Sequence, residues 1–209
     1  MHSKRSLIRR TIAVTAAGAA ALVLASCGGN GDSPAGHGGH TSKSPSASAS
    51  ADQGKHNAAD VAFAQGMIPH HRQAVEMADL TPDRAQSPEV KKLAEDIKKA
   101  QDPEIKTLSG WLTSWSEEVP AEGAMDHSMH GDMEGMMSAE EMDKLKDSSG
   151  TAFDTAFMEM MIKHHEGAVA MAKTEQADGA YAPAKKMAGD IITSQTAEIS
   201  QMNKLLGKD

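Results

Sequence analysis

The stretch DVAFAQGMIPHHRQAVEMA at residues 60–78 recurs without gaps as DTAFMEMMIKHHEGAVAMA at residues 154–172. The same offset of 94 residues relates KKLAEDIKKAQDPEI at 91–105 to KKMAGDIITSQTAEI at 185–199. A constant offset over such a length indicates two copies of one structural unit. Each copy carries two adjacent histidines, His70-His71 in the first and His164-His165 in the second.

Each copy predicts a pair of helices. In the second part of each copy, apolar residues recur at the spacing of one helix face. They are Leu93, Ile97, Ile105, Leu108 and Leu112 in the first copy and Met187, Ile191, Ile199, Met202 and Leu206 in the second. Two such hairpins bury their apolar faces most simply against each other. The prediction is an all-α, antiparallel four-helix bundle over 57–208, with repeat one at 57–118, a linker at 119–137 and repeat two at 138–208.

Several short motifs predict where the helices begin and end. They are Asn57-x-x-Asp60 and Thr151-x-x-Asp154 as capping boxes with Asp in place of Glu, Ser87-Pro88 as an N-cap before a first-turn proline, Ser138-x-x-Glu141 as the start of a short extra helix over 138–147, and Gly207 as a terminator. No stretch shows the period-two alternation of a strand.

The N-terminal residues predict export and a lipid anchor. Residues 1–10 are basic and residues 11–26 are small, apolar and uncharged, which is the pattern of a secretory signal peptide over 1–26. The run ends in Leu24-Ala25-Ser26-Cys27, which resembles the bacterial lipobox and implies cleavage before Cys27 and a diacylglycerol on its sulfur. An ordinary signal peptide followed by an incidental cysteine is the alternative. Anchoring at the outer face of the cytoplasmic membrane follows from the lipobox reading.

Residues 27–56 are rich in Gly, Ser, Ala and His, so this segment predicts a flexible tether. His37 and His40 within it are either a loose metal site or incidental. The single cysteine excludes an internal disulfide and a cysteine-based zinc site. Removing the four positive charges of the leader takes the net charge from −8 to −12, which disfavours nucleic acid as a partner and favours cations.

Both His-His pairs are predicted to face the inside of the bundle. At 100° per residue they share a core-facing stripe with Asp60, Phe63, Met67 and Ala74 in the first repeat and with the equivalent residues of the second. Met67 and Met161 stand one turn before their histidines, and Met77 and Met171 lie near the edge of the stripe. Imidazole suits several transition metals, whereas thioether selects reduced copper. The candidate metal ligands are therefore His70, His71, Met67, His164, His165, Met161, Met77 and Met171.

Two further features modify this picture. Pro69 in the first motif is replaced by Lys163 in the second, so the first helix is expected to kink and the two half-sites to differ. The linker sequence AEGAMDHSMHGDMEGMM at 121–137 predicts a mobile loop with a second, weaker set of copper ligands. These are Met125, His127, Met129, His130, Met133, Met136 and Met137.

The paired motifs Met67-Ile-Pro-His70-His71 and Met161-Ile-Lys-His164-His165 resemble the family catalogued as domain of unknown function 305, over about residues 57–207. The resemblance implies a secreted or periplasmic protein with a ferritin-like four-helix bundle, and an association with copper binding and tolerance. Carried over by position, it implies His70, His71, Met67, His164, His165 and Met161 as ligands.

The leading hypothesis is a lipoprotein that binds copper for buffering, transfer or tolerance, without being an enzyme, and with a copper-handling protein as a candidate partner. One alternative is a ferritin-like metal-dependent oxidase. Against it, neither repeat contains the Glu-x-x-His pair of di-iron sites, and the only inward acids are expected to be Asp60 and Asp154. The other alternative is a non-metal binding module with a polar histidine core.

Overall fold

The computed structural model describes residues 54–122 and 134–208. The predicted signal peptide, Cys27 and the tether up to residue 53, with His37 and His40, lie outside the described residues. So do the linker positions Met125, His127, Met129, His130 and Met133. The predictions made for these residues stay predictions.

The described residues form four long helices and two short ones. In chain order they are α1 (Ala58–Asp79), α2 (Thr81–Arg84), α3 (Pro88–Trp115), α4 (Ala139–Asp147), α5 (Gly150–Asp178) and α6 (Ala182–Leu205). The all-α fold is confirmed, and α1 continues through Pro69. The one-turn helix α2 was not expected from the sequence. Within the described residues, no helix combines the length and the apolar character needed to span a membrane.

Most of the predicted helix ends are confirmed. Asn57 closes a capping box with Asp60, Ser138 closes one with Glu141, and Ser87 caps α3. Gly207 adopts a positive φ of 68° just after α6, which suits a residue without a Cβ.

The predicted capping box at Thr151 is wrong. Helix α5 begins earlier, at Gly150, with Ser149 as its N-cap residue and no side-chain cap. The Asp154 carboxylate accepts hydrogen bonds from the backbone N–H groups of Gln86 (3.0 Å) and Ser87 (2.9 Å) instead. A contact between hairpins has therefore replaced the local cap that the motif suggested.

Two aspartates join the hairpins in equivalent ways. Asp60, near the start of α1, accepts hydrogen bonds from the N–H groups of Ala180 and Tyr181, just beyond the end of α5. Asp154, near the start of α5, does the same for the turn that follows α2. Helices α1 and α5 consequently run antiparallel, and the two repeats are related by an approximate two-fold axis. The expectation that both aspartates face inward is confirmed, because Asp60 is 0% and Asp154 is 6% exposed, and backbone donors at the helix ends hold them.

The core consists of two apolar clusters. One contains Met77, Leu93, Ile97, Phe153 and Phe157, with Met202 from α6. The other contains Met67, Ile68, Leu108, Ala172 and Ile191. Along each long helix, buried or half-buried polar residues separate the part that enters one cluster from the part that enters the other. This polar layer at mid-bundle contains the histidines.

Candidate metal centre

The polar layer contains all four repeated histidines. His70 and His71 lie on α1 and His164 and His165 on α5, and all four are 0% exposed. On each helix the small buried Ala74 or Ala168 follows one turn later, which leaves room for the rings. The prediction that both His-His pairs point inward is thus confirmed in position, while their role as ligands remains a prediction.

His70 and His164 meet at the interface of the two hairpins. Their ring centroids are 3.7 Å apart, with an interplanar angle of 43°. All four ring nitrogens of this pair are buried without a hydrogen-bond partner in the described residues. A buried polar group without a partner is costly, so these nitrogens are donors available to a ligand.

Burial keeps these two imidazoles neutral. It lowers the pKa of His70 to about 3, and the neighbouring His71 and His165 add to the effect. Burial likewise lowers the pKa of His164 far below its ordinary value, with further contributions from His70, His165 and His71. Because a metal binds the neutral ring, both histidines keep their lone pairs even in mildly acidic solution.

His71 and His165 turn away from this pair, each toward a carboxylate. Nε2 of His71 lies 2.8 Å from Oε2 of Glu104, and Nε2 of His165 lies 2.6 Å from Oε2 of Glu198. Both pairs span 33 residues of sequence, so they are equivalent in the two repeats. Nδ1 of each ring is buried without a partner. The carboxylates hold these rings in place, as carboxylates hydrogen-bonded to metal-binding histidines do in known metal sites.

Sequence reasoning missed Glu104 and Glu198. It also missed Gln101 and Gln195, which stand one turn earlier and are 2% and 3% exposed. The statement that Asp60 and Asp154 are the only inward acids is therefore wrong. The signal was present, because Gln-x-x-Glu recurs at the offset of 94 in QDPEI and QTAEI.

The candidate thioethers lie on both sides of the polar layer. Met67 belongs to one apolar cluster, whereas Met161 and Met77 belong to the other, and all three are 0% exposed. Met171 is half-buried and packs at the edge of the cluster that contains Met67. Of the linker candidates in the described residues, Met137 is buried and Met136 is half-buried.

A third buried acid lies away from the histidines. Glu175 is 1% exposed, and neither of its carboxyl oxygens has a hydrogen-bond partner of good geometry. Burial and the adjacent Asp60 raise the pKa of Glu175 to about 8. The equivalent residue of the first repeat is Thr81, so only one of the two aspartate contacts between the hairpins has a second acid beside it.

The chemistry of these donors favours a soft metal. In the described residues, no three His, Cys, Asp or Glu side chains are arranged together as a metal site. The His70–His164 pair supplies nitrogen donors, and Met67 and Met161 stand one turn away on the same helices. Nitrogen and thioether donors fit reduced copper, whereas a hard ion or a di-iron pair requires several carboxylates.

Comparison with known proteins identifies related structures. The family model described as "Domain of unknown function (DUF305)" matches residues 60–206. A putative secreted DUF305 protein from Streptomyces coelicolor is 35% identical, with a TM-score of 0.64, over 72% of this chain and 93% of that one. A DUF305 fragment from Deinococcus radiodurans is 29% identical, with a TM-score of 0.64, over 73% of this chain and 98% of that one.

A further relative is CopM, whose structure has been solved with metal. In its Cu(II)-bound form it is 36% identical to this chain, with a TM-score of 0.60, over 70% of this chain and 94% of that one. Its Cu(I)-bound form gives 35% identity and a TM-score of 0.58 over the same shares. No curated protein gives a significant sequence match.

Proposed function

Because the chain belongs to the DUF305 family and is similar to CopM, which has been solved in copper-bound forms, we propose that it binds copper outside the cytoplasmic membrane. The centre of the proposed site is the His70–His164 pair. Its function is to hold copper for buffering, transfer or tolerance, with copper as cargo.

The observation that carries this proposal is the set of four buried, unpartnered ring nitrogens on His70 and His164. Two imidazoles in contact at 3.7 Å, both neutral and both 0% exposed, gain nothing from each other by hydrogen bonding. A metal ion that both rings share would give each ring a strong partner. Glu104 and Glu198 support the site through the second histidine of each pair.

Reduced copper is the favoured cargo because thioether sulfur flanks the histidine pair. Met67 and Met161 stand one turn before His70 and His164 on their helices. The methionines and histidines of the linker form a second, weaker binding region that captures the ion first. A copper-handling protein is the proposed source or recipient.

We propose a lipid anchor on Cys27 and a tether long enough to hold the bundle away from the membrane. The Leu24-Ala25-Ser26-Cys27 motif after an apolar run supports this, as does the secreted relative. The measurement is mass spectrometry of the protein purified from its membrane fraction. A diacylglyceryl mass on Cys27, absent in Cys27→Ser, is expected. An unmodified mature terminus would overturn this part.

The copper site is tested by titrating purified protein with Cu(I) against a competing chelator. We expect His70→Ala/His164→Ala to weaken the tightest site by about 100-fold or more, since even outer-shell changes cost about 10- to 100-fold. His56→Ala is the control, because His56 is exposed and stacks on Trp115. Equal affinity of the double variant and the control would reject the site, and tighter binding of zinc than of Cu(I) would reject the metal.

A further inference from the structure

Both ends of the linker are bound to one side of α1. At its start, Gln65 donates a hydrogen bond to the carbonyl oxygen of Glu118 (3.1 Å). Two turns further along α1, Arg72 donates from Nη1 to the carbonyl oxygens of Pro120 (2.7 Å) and Ala121 (2.9 Å). The beginning of the linker therefore lies along α1, where Arg72 directly follows the His-His pair.

At the far end of the linker, Gln73 binds the backbone of Met137 twice. The N–H of Met137 donates to Oε1 of Gln73 (2.7 Å), and Nε2 of Gln73 donates to the Met137 carbonyl oxygen (2.8 Å). Gln73 is 1% exposed and Met137 is 5% exposed, so both hydrogen bonds are shielded from water. Loss of one partner would leave buried backbone groups unsatisfied.

The segment Glu134–Met137, here called the cover segment, also packs closely on α5. A Cβ on Gly167 would collide with the Glu134 carbonyl oxygen, and a Cβ on Gly135 would lie 2.7 Å from the Lys163 carbonyl oxygen. Gly135 has a φ of 87°, which a residue with a side chain rarely adopts. Two glycines are therefore required for this contact between the segment and the helix.

These contacts place the cover segment beside the His70–His164 pair. Lys163 immediately precedes His164, and Gln73 follows His70 by one turn on the other helix. The segment thus extends from one imidazole-bearing helix to the other.

The residues that hold the linker are positions at which the two repeats differ. Gln73 corresponds to Gly167 at the offset of 94, and Arg72 corresponds to Glu166. Gln65 corresponds to Glu159. One repeat supplies hydrogen bonds to the linker, and the other supplies the glycine that admits it. Packing of the four-helix core does not require either difference, whereas seating the linker requires both.

We propose that the cover segment closes the His70–His164 pair from solvent, and that Gln73 and Gly167 are positioning residues that set how fast a solute reaches the two imidazoles. Only the identity of this solute, a copper ion, rests on the proposed function. The cover segment does not need to ligate the ion. It slows both entry and release.

The test compares two glycine-to-alanine variants of the whole protein. Gly167→Ala forces the cover segment away from α5. Gly110→Ala, the matched control, changes an exposed glycine of α3 whose added Cβ meets nothing within 4 Å. Diethylpyrocarbonate, which modifies neutral imidazoles, is the probe, and mass spectrometry reads each histidine separately. His56 serves as the exposed internal reference.

We expect His70 and His164 to be modified about 10-fold faster in Gly167→Ala than in the wild type or Gly110→Ala, because about 1.4 kcal/mol of hydrogen bonding and packing is lost. Gln73→Leu is expected to give the same result and to speed hydrogen exchange of the Met137 amide. Unchanged modification rates in both variants would overturn the proposal, as would faster rates in Gly110→Ala.

Copper kinetics then separate this inference from the proposed function. In the wild type, Cu(I) removal by excess chelator should be about 10-fold slower than in Gln73→Leu, with the equilibrium affinity changed less than the rate. If the wild type binds no Cu(I), the proposed function fails, while the modification rates still decide whether the segment is a cover. If copper binds but its release rate is the same in all variants, the cover segment does not control exchange.

Discussion

The two repeats agree where they face each other and differ where they face the linker. His70 and His164, Asp60 and Asp154, and the pairs His71–Glu104 and His165–Glu198 occupy equivalent places with equivalent contacts. Outside this shared set, the first repeat has polar residues that bind the linker or α4, including Glu76, which forms an ion pair with Lys146. The duplicated part is thus the proposed metal centre, and the diverged part is the surface that is proposed to cover it.

The largest expected effect is the loss of folding stability at low pH, to which the histidines of both repeats contribute. The pKa of His70 is about 3 when folded and near 6.5 when unfolded, so the unfolded chain binds more protons between these values. Stability is therefore lost as pH falls below 6.5, by about 3 kcal/mol at pH 4 from His70 alone. The lowered pKa of His164 acts in the same direction. Urea unfolding at pH 7, 5 and 4 should show a shallower pH dependence in His70→Gln/His164→Gln, and parallel curves would contradict this.

The next effect is expected when the Asp154 contact between the hairpins is removed, which is the one without a second acid beside it. Asp154→Ala removes two hydrogen bonds to the Gln86 and Ser87 amides. Hydrogen bonds to a charged group contribute about 1.5–3 kcal/mol each, so a loss of about 3 kcal/mol is expected. Thermal unfolding measures it, with exposed Asp143→Ala in α4 as the control. A melting temperature equal to that of the control would show that the contact does not join the hairpins.

At the Asp60 contact, where Glu175 is the second acid, a smaller effect of opposite sign is expected, because removing the acid should stabilise the protein. The pKa of Glu175 is raised to about 8, so folding at neutral pH opposes its ionisation, and stability decreases as pH rises from about 4.5 to 8. Glu175→Gln should stabilise the protein by roughly a few kcal/mol at pH 8 and by almost nothing at pH 4. Denaturant midpoints at the two pH values measure this. Equal shifts at both would mean that burial of the acid has no proton-linked cost.

The smallest expected effect tests whether the two repeats contribute equally to the proposed metal centre. Glu104→Gln and Glu198→Gln each weaken the hold on a histidine beside the His70–His164 pair, so each should lower Cu(I) affinity by about 10-fold. Because the two pairs are equivalent, the two variants should agree within about threefold. Competition titration decides this. A loss confined to one variant would show that the centre is not shared by the repeats.

The helical hairpins, the inward histidines and most helix ends could be predicted from the sequence, because periodicity and caps are local signals. The failures concern contacts between distant segments. Thr151-x-x-Asp154 fits a local cap equally well, and nothing nearby shows that Gln86 and Ser87 compete for the carboxylate. Glu104 looks like an exposed helical acid until its distance to His71 is known. Gln73 and Gly167 look like ordinary divergence between repeats.

The central claim is that His70 and His164 bind one copper ion together. X-ray absorption spectroscopy of the protein loaded with one equivalent of Cu(I) tests it most directly. The expected first shell contains two imidazole nitrogens and at least one thioether sulfur, and the imidazole signal disappears in His70→Ala/His164→Ala. A shell of sulfur alone, identical in the wild type and the double variant, would place the ion in the linker and contradict the claim.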